Sequence, residues 1–110
     1  MAFKQLISDL DLKSILVFDS QALLIYVSEA LYGYIHEPEM LAVELLDFIN
    51  SLSALPLFSP DHYIIKANGL NFLVKKHQDF FVALLAEDSK ILKANLDFIK
   101  VYNSVIKTLL

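Results

Sequence analysis

The sequence predicts an α+β fold: one five-stranded antiparallel sheet with helices packed on it, in the order α-β-β-α-β-β-β-α. Three observations predict it. First, Asn68-Gly69 stands between two apolar runs, Tyr63 to Ala67 and Leu70 to Lys76. Asn-Gly in that setting is the strongest short-range hairpin signal, because both central residues of a type I′ turn need positive φ. Second, a short polar break, His77-Gln78-Asp79, leads into the longest purely apolar run of the chain, Phe80 to Ala86. A strand of that composition belongs in the middle of a sheet, covered on both faces. Third, two longer stretches, Pro38 to Leu52 and Lys90 to about Leu109, carry apolar residues at helical spacing.

The remaining elements follow in order. Phe3, Leu6, Ile7 and Leu10 recur at helical spacing and predict a short amphipathic helix over Ala2 to Leu10. Ser14 to Asp19 is a β-branched and aromatic run of strand length. Asp19-Ser20-Gln21 is a turn, since short polar side chains bond their own backbone there, and Ala22 to Ser28 returns as a second strand. Glu29 to Glu37 is ambiguous: Leu31, Tyr32, Tyr34 and Ile35 are too apolar for a plain loop, and Gly33 interrupts a helix. Pro38 and Glu39 then suit the first turn of a helix. In that helix Leu41, Leu45, Phe48, Ile49 and Leu52 form a stripe for the sheet, and Met40, Val43 and Leu46 extend the apolar surface around it. A helix apolar over most of its girth needs cover on two sides. Pro56 and Pro60 end it. Asp88 or Ser89 is the expected N-cap of the last helix, with Leu92, Leu96, Ile99 and Ile106 marking one face and Ile91, Phe98, Val101, Tyr102 and Val105 widening it.

A chain of 110 residues is expected to be one domain, residues 1–110. Hydrophobic residues make up 56% of it and the mean hydropathy is +0.53, more apolar character than an ordinary monomer needs. No run approaches the ~20 apolar residues of a spanning helix, so no membrane insertion is expected and the outlet is a protein partner, a second copy included. The net charge is −4 and all nine basic residues are lysine. Without arginine, the residue most used for bidentate contacts to phosphate and guanine, nucleic acid is not an expected partner. With no cysteine there is no disulfide framework or thiolate chemistry, and a cytoplasmic location is the default expectation.

No constellation of residues carries chemistry of its own. Gly33 and Gly69 are the two glycines, so no phosphate loop or dinucleotide fingerprint exists. His36, His62 and His77 do not pair at metal-ligand spacing, and no metal or cofactor is expected. The acids cluster at helix ends, where capping and solvation account for them. No serine sits in a nucleophile elbow. No catalytic residue is expected. Lys66, Lys75 and Lys76 read as charges that blunt a sheet edge. Tyr32 and Tyr34 flank Gly33 in an apolar loop and are either core or a contact patch for a partner.

The order of elements and the central motif resemble the roadblock/LC7 family over most of the chain. Ser14 to Ser20 is similar to its first strand and acidic turn, Tyr63 to Lys76 around Asn68-Gly69 to its third and fourth strands, and Phe80 to Leu96 to its last strand and C-terminal helix. The resemblance departs at Ser20-Gln21-Ala22, where the family often has glycine, and in the more aromatic Leu31 to Ile35 loop. It implies a homodimer, or a heterodimer with a paralogue, in which second helices pack together and third strands pair edge to edge. Carried onto this chain, the dimer interface would use Met40, Val43 and Leu46 with Tyr63, Ile65 and Ala67. It also implies a non-enzymatic module that regulates or scaffolds a Ras-like small GTPase, or serves a signalling or motor complex, acting on the GTPase without an arginine finger. The alternative is a PAS-like or profilin-like small-ligand sensor or adaptor, since a five-stranded sheet rich in aromatics can enclose a pocket.

Overall fold

The computed structural model describes residues 3–53, 62–67 and 69–109. The chain order is α1 (Lys4–Asp9), β1 (Ser14–Asp19), β2 (Leu24–Val27), a 3-10 turn (Glu29–Gly33), α2 (Pro38–Ser53), β3 (His62–Ala67), β4 (Leu70–His77), β5 (Phe80–Glu87), α3 (Ile91–Leu96) and α4 (Phe98–Leu109). The five strands form one antiparallel sheet in the order β2-β1-β5-β4-β3. The run Phe80–Ala86 is therefore the centre of the sheet, with every residue buried, as its continuous apolar sequence demands.

The period-two alternation of β5 assigns its side chains to two cores. Phe80, Val82, Leu84 and Ala86 pack with Ile15, Val17 and Leu73 beneath α1, α3 and α4. Phe81, Ala83 and Leu85 pack with Leu16, Phe18, Phe72 and Val74 beneath α2 and Leu31 of the 3-10 turn. The rings of Phe18 and Phe81 stack at 5.2 Å on the second face. The sheet is thus covered on both sides.

Turns follow their local chemistry. The Asp19 carboxylate accepts hydrogen bonds from the N–H groups of Gln21 and Leu23, at 2.8 and 3.0 Å, and Ala22 takes φ +64. A register shift between Val17 and Phe18 accompanies this tight return, and β2 keeps four residues of the longer strand expected. Ala67 and Leu70 are partners, so Asn68-Gly69 is the two-residue connection of a hairpin, with Gly69 at φ +80. The conformation of Asn68, and with it the I′ assignment, lies outside the described residues, as does the Pro56–Pro60 segment.

The expected last helix is two helices, broken at Asp97. Its N-cap is Lys90, without a side-chain cap; Asp88 instead accepts a hydrogen bond from the Asn71 amide, tying the start of α3 to β4. Ile91, Ala94, Phe98, Val101 and Val105 face the sheet. Leu92, Leu96 and Ile99, expected on the inner face, are 67%, 83% and 63% exposed. The sequence carries two stripes, and small Ala94 lets the first approach the strands closely.

Candidate interaction surface

The α2 helix meets the sheet through Ala42, Leu45, Leu46 and Ile49, spaced i, i+3, i+4, i+7. Ala42 at the contact again permits close approach. This phase corrects two readings of the sequence. Leu46, expected on the outward surface, is 9% exposed and belongs to the chain's own core. Phe48, expected against the sheet, is 47% exposed. Met40 and Val43 do face outward.

On the flank of α2 turned toward β3 lies an open groove of about 240 Å³, lined by Leu41, Glu44, Leu45, Phe48, Ile65 and Phe72. β3 is the edge strand of the sheet beside it. Tyr63 and Ile65 stand opposite Val74 and Phe72, so both point to the α2 side of the sheet, half-buried against that core. Ala67 pairs with Leu70 through its backbone, and its side chain lies outside the described residues. The structure therefore brings Phe48, Ile65 and the flank of α2 together at one apolar edge of the molecule.

Tyr32 and Tyr34 are exposed in the 3-10 turn and the residue after it, and neither is core. Buried Leu31 between the strands and α2 anchors that turn, which explains the apolar character of the loop. Tyr34 stands near Lys13, whose ammonium is held above the usual lysine value by the hydrogen bond and charge of Glu87, 3.2 Å away.

Lys66 is on the edge strand, but Lys75 and Lys76 are on β4, one strand in. They lie over the rings of Phe98 and Phe81, at 4.7 and 5.8 Å from the centroids, rather than blunting an edge. Among the described residues no group of three or more His, Asp or Glu could hold a metal ion, and no helix is long and apolar enough to cross a membrane.

No protein-family model matches the sequence, and no curated protein matches it by sequence. Solved structures are similar in fold. The gliding protein MglB from Thermus thermophilus superposes with a TM-score of 0.75 at 10% identity, covering 98% of this chain and 85% of that one. The chain has the roadblock/MglB fold. Myxococcus xanthus MglB matches at a TM-score of 0.66 and 12% identity, over 94% of this chain and 93% of its own. A roadblock/LC7 domain from Streptomyces avermitilis matches at 0.65 and 16%, over 89% and 85%. Sequence signal is nearly gone at these identities, while the order of strands and helices persists. What signal sequence reasoning missed was the phase of the helices: Ala42 and Ala94 mark the inward stripes of α2 and α3.

Proposed function

We propose that this chain is a dimeric interaction module that regulates or scaffolds a Ras-like small GTPase. One observation carries the reading: α2 presents Met40, Val43 and Phe48 to solvent, Phe48 beside the edge strand β3, on a roadblock/MglB fold. Roadblock-like dimers join through these two elements, and solvent-exposed apolar side chains gain by being covered. In this reading Met40, Val43, Phe48 and the groove beside Ile65 meet a second copy or a paralogue, while Tyr63 to Ala67 pairs with its counterpart. Leu46 supports the interface from below by fixing α2 on the sheet. The exposed pair Tyr32 and Tyr34 is a candidate surface for the further partner.

The chain brings no arginine, so it cannot supply an arginine finger. In this reading a change in GTP hydrolysis comes from repositioning groups of the GTPase itself, by differential binding of its states, as the resemblance implies. The test is a single-turnover hydrolysis assay with Ras-like GTPases of the same organism, beside a binding measurement in their GDP and GTP-analogue forms. Binding with altered hydrolysis identifies a regulator, and state-independent binding a scaffold. Failure to bind any of them sinks the GTPase reading and returns weight to the small-ligand alternative.

A further inference from the structure

Away from the α2–β3 edge, on the opposite face of the sheet, the α3–α4 elbow stands over the end of β4. The contacts of α3 fix how it sits. Lys93 donates to the carbonyl oxygen of Asp9 at 3.5 Å, so that flank is turned toward α1. The opposite flank carries Asn95, and Leu96 and Ile99 stand at the rim where the helix ends. Between that flank and the strand is an open pocket of about 440 Å³. Its apolar surface comes from Val82, Phe98, Leu96 and Ile99, and its polar side from Lys75, His77 and Asn95; Lys76 touches it from the next position of β4, with its ammonium on the other face over Phe81. Tyr102 shares a hydrogen bond of 2.6 Å with His77 Nδ1 and closes one end.

The charge pattern separates this pocket from the other open cleft of similar size. That cleft, about 420 Å³ beside α1, is lined by Lys13 and Lys90, but Glu87 and Asp11 lie 3.2 and 3.4 Å from them and also line it. Two of its three lysines are thus answered, Lys4 being the third. The elbow pocket has no acid in its lining, and Lys75, whose ammonium lies on this face over Phe98, has no carboxylate partner among the described residues. In a chain of net charge −4, Lys75 is an unneutralised positive charge above an apolar floor.

We propose that the elbow pocket binds a small amphipathic anion, a carboxylate on an unbranched apolar chain. The volume falls within the range of small-molecule sites, which combine an apolar lining with a few placed polar groups. The carboxylate would meet Lys75, gaining a charge-assisted hydrogen bond that no side chain among the described residues supplies. The chain would cover Phe98, Leu96 and Ile99 and run out along the exposed ridge toward Leu92. This site is independent of the GTPase reading and of dimer formation.

The test is a titration of the ¹⁵N-labelled chain with sodium decanoate, followed by two-dimensional NMR. Decyltrimethylammonium serves as the probe of opposite charge. Saturable binding is expected below about 1 mM, with shifts centred on Lys75 to His77 and Asn95 to Tyr102 and no comparable response to the cation. Lys75→Met keeps the packing over Phe98 and removes the charge; it should weaken binding about tenfold. Leu96→Ser, at a position 83% exposed, cannot disturb the core and should weaken it as well. Leu23→Ser, exposed next to β2, should leave it unchanged. The proposal is overturned by non-saturating shifts, by equal binding of the cation, or by unchanged affinity in both Lys75→Met and Leu96→Ser with the fold intact.

Discussion

Phe48→Glu is the sharpest probe of the proposed dimer. Phe48 is 47% exposed, so of the roughly 200 Å² of a phenylalanine side chain about 95 Å² is still available to a partner. At ~25 cal/mol per Å² that surface contributes about 2.4 kcal/mol from each subunit, or about 5 kcal/mol across a symmetric interface. Losing it would weaken dimerisation by about three orders of magnitude, before the cost of burying an unpaired carboxylate is added. Because half the ring is already in water, the fold of each chain should survive. Light scattering after size exclusion reads the outcome directly. The wild type should have twice the 12.5 kDa chain mass, and Phe48→Glu should run as a folded monomer with a native circular dichroism spectrum. A wild-type monomer, or a variant dimer of unchanged affinity, would refute the reasoning. Leu46→Lys is the instructive contrast: at 9% exposure it should unfold the chain instead of merely separating two copies.

Three further outcomes test the architecture. Leu84→Ala, at a fully buried position in the central strand, should cost about 2–5 kcal/mol in urea unfolding, with an unchanged m-value. Ser28→Ala removes the hydroxyl that accepts the buried N–H of Ile15 at 2.9 Å and should cost about 1–3 kcal/mol, whereas Ser51→Ala on the exposed side of α2 should cost little. Burial, and secondarily the charge of Glu29, pushes the Tyr26 phenol above its ordinary value of 10.0. The folded state therefore favours the neutral phenol, so this contribution is complete below pH 10.0 and is lost as pH rises through the folded-state value. The stability difference between wild type and Tyr26→Phe should be flat below that pH and shift against the wild type above it; a flat difference throughout would exclude the effect.

The sheet was the most legible part of the chain. Ser14–Asp19 and Phe80–Glu87 are strands with the boundaries their composition suggests, because β-branched and aromatic runs bounded by Asp, Gln and Ser have few other uses. The Asn68-Gly69 connection fixed a register that continues through β4 into β5. Helix phase was less legible. α2 and the C-terminal helices each carry more apolar residues than one face holds, and bulk alone misassigns Phe48, Leu92, Leu96 and Ile99. The alanines decided the matter, since a helix lies closest where its side chains are smallest. The elbow pocket was invisible for a related reason. It depends on the break at Asp97 and on Lys75 lying over Phe98, a ring 23 positions away in sequence. The candidate interaction edge was partly legible: Met40 and Val43 were assigned outward, Leu46 was not separable from them by pattern, and the side chain of Ala67 lies outside the described residues.

The two borders of the sheet are unequal, and the inequality limits what the molecule can build. β3 offers six residues at one border; β2 offers four at the other, next to a register shift and a chain that leaves at once into the 3-10 turn. A sheet with two good borders can add copies without end, which is the geometry of fibres. Here growth through β3 would consume that border in the first pairing and leave only the short, distorted one on each outside. If β3 pairs as proposed, the assembly closes after one step, a useful property in so apolar a protein.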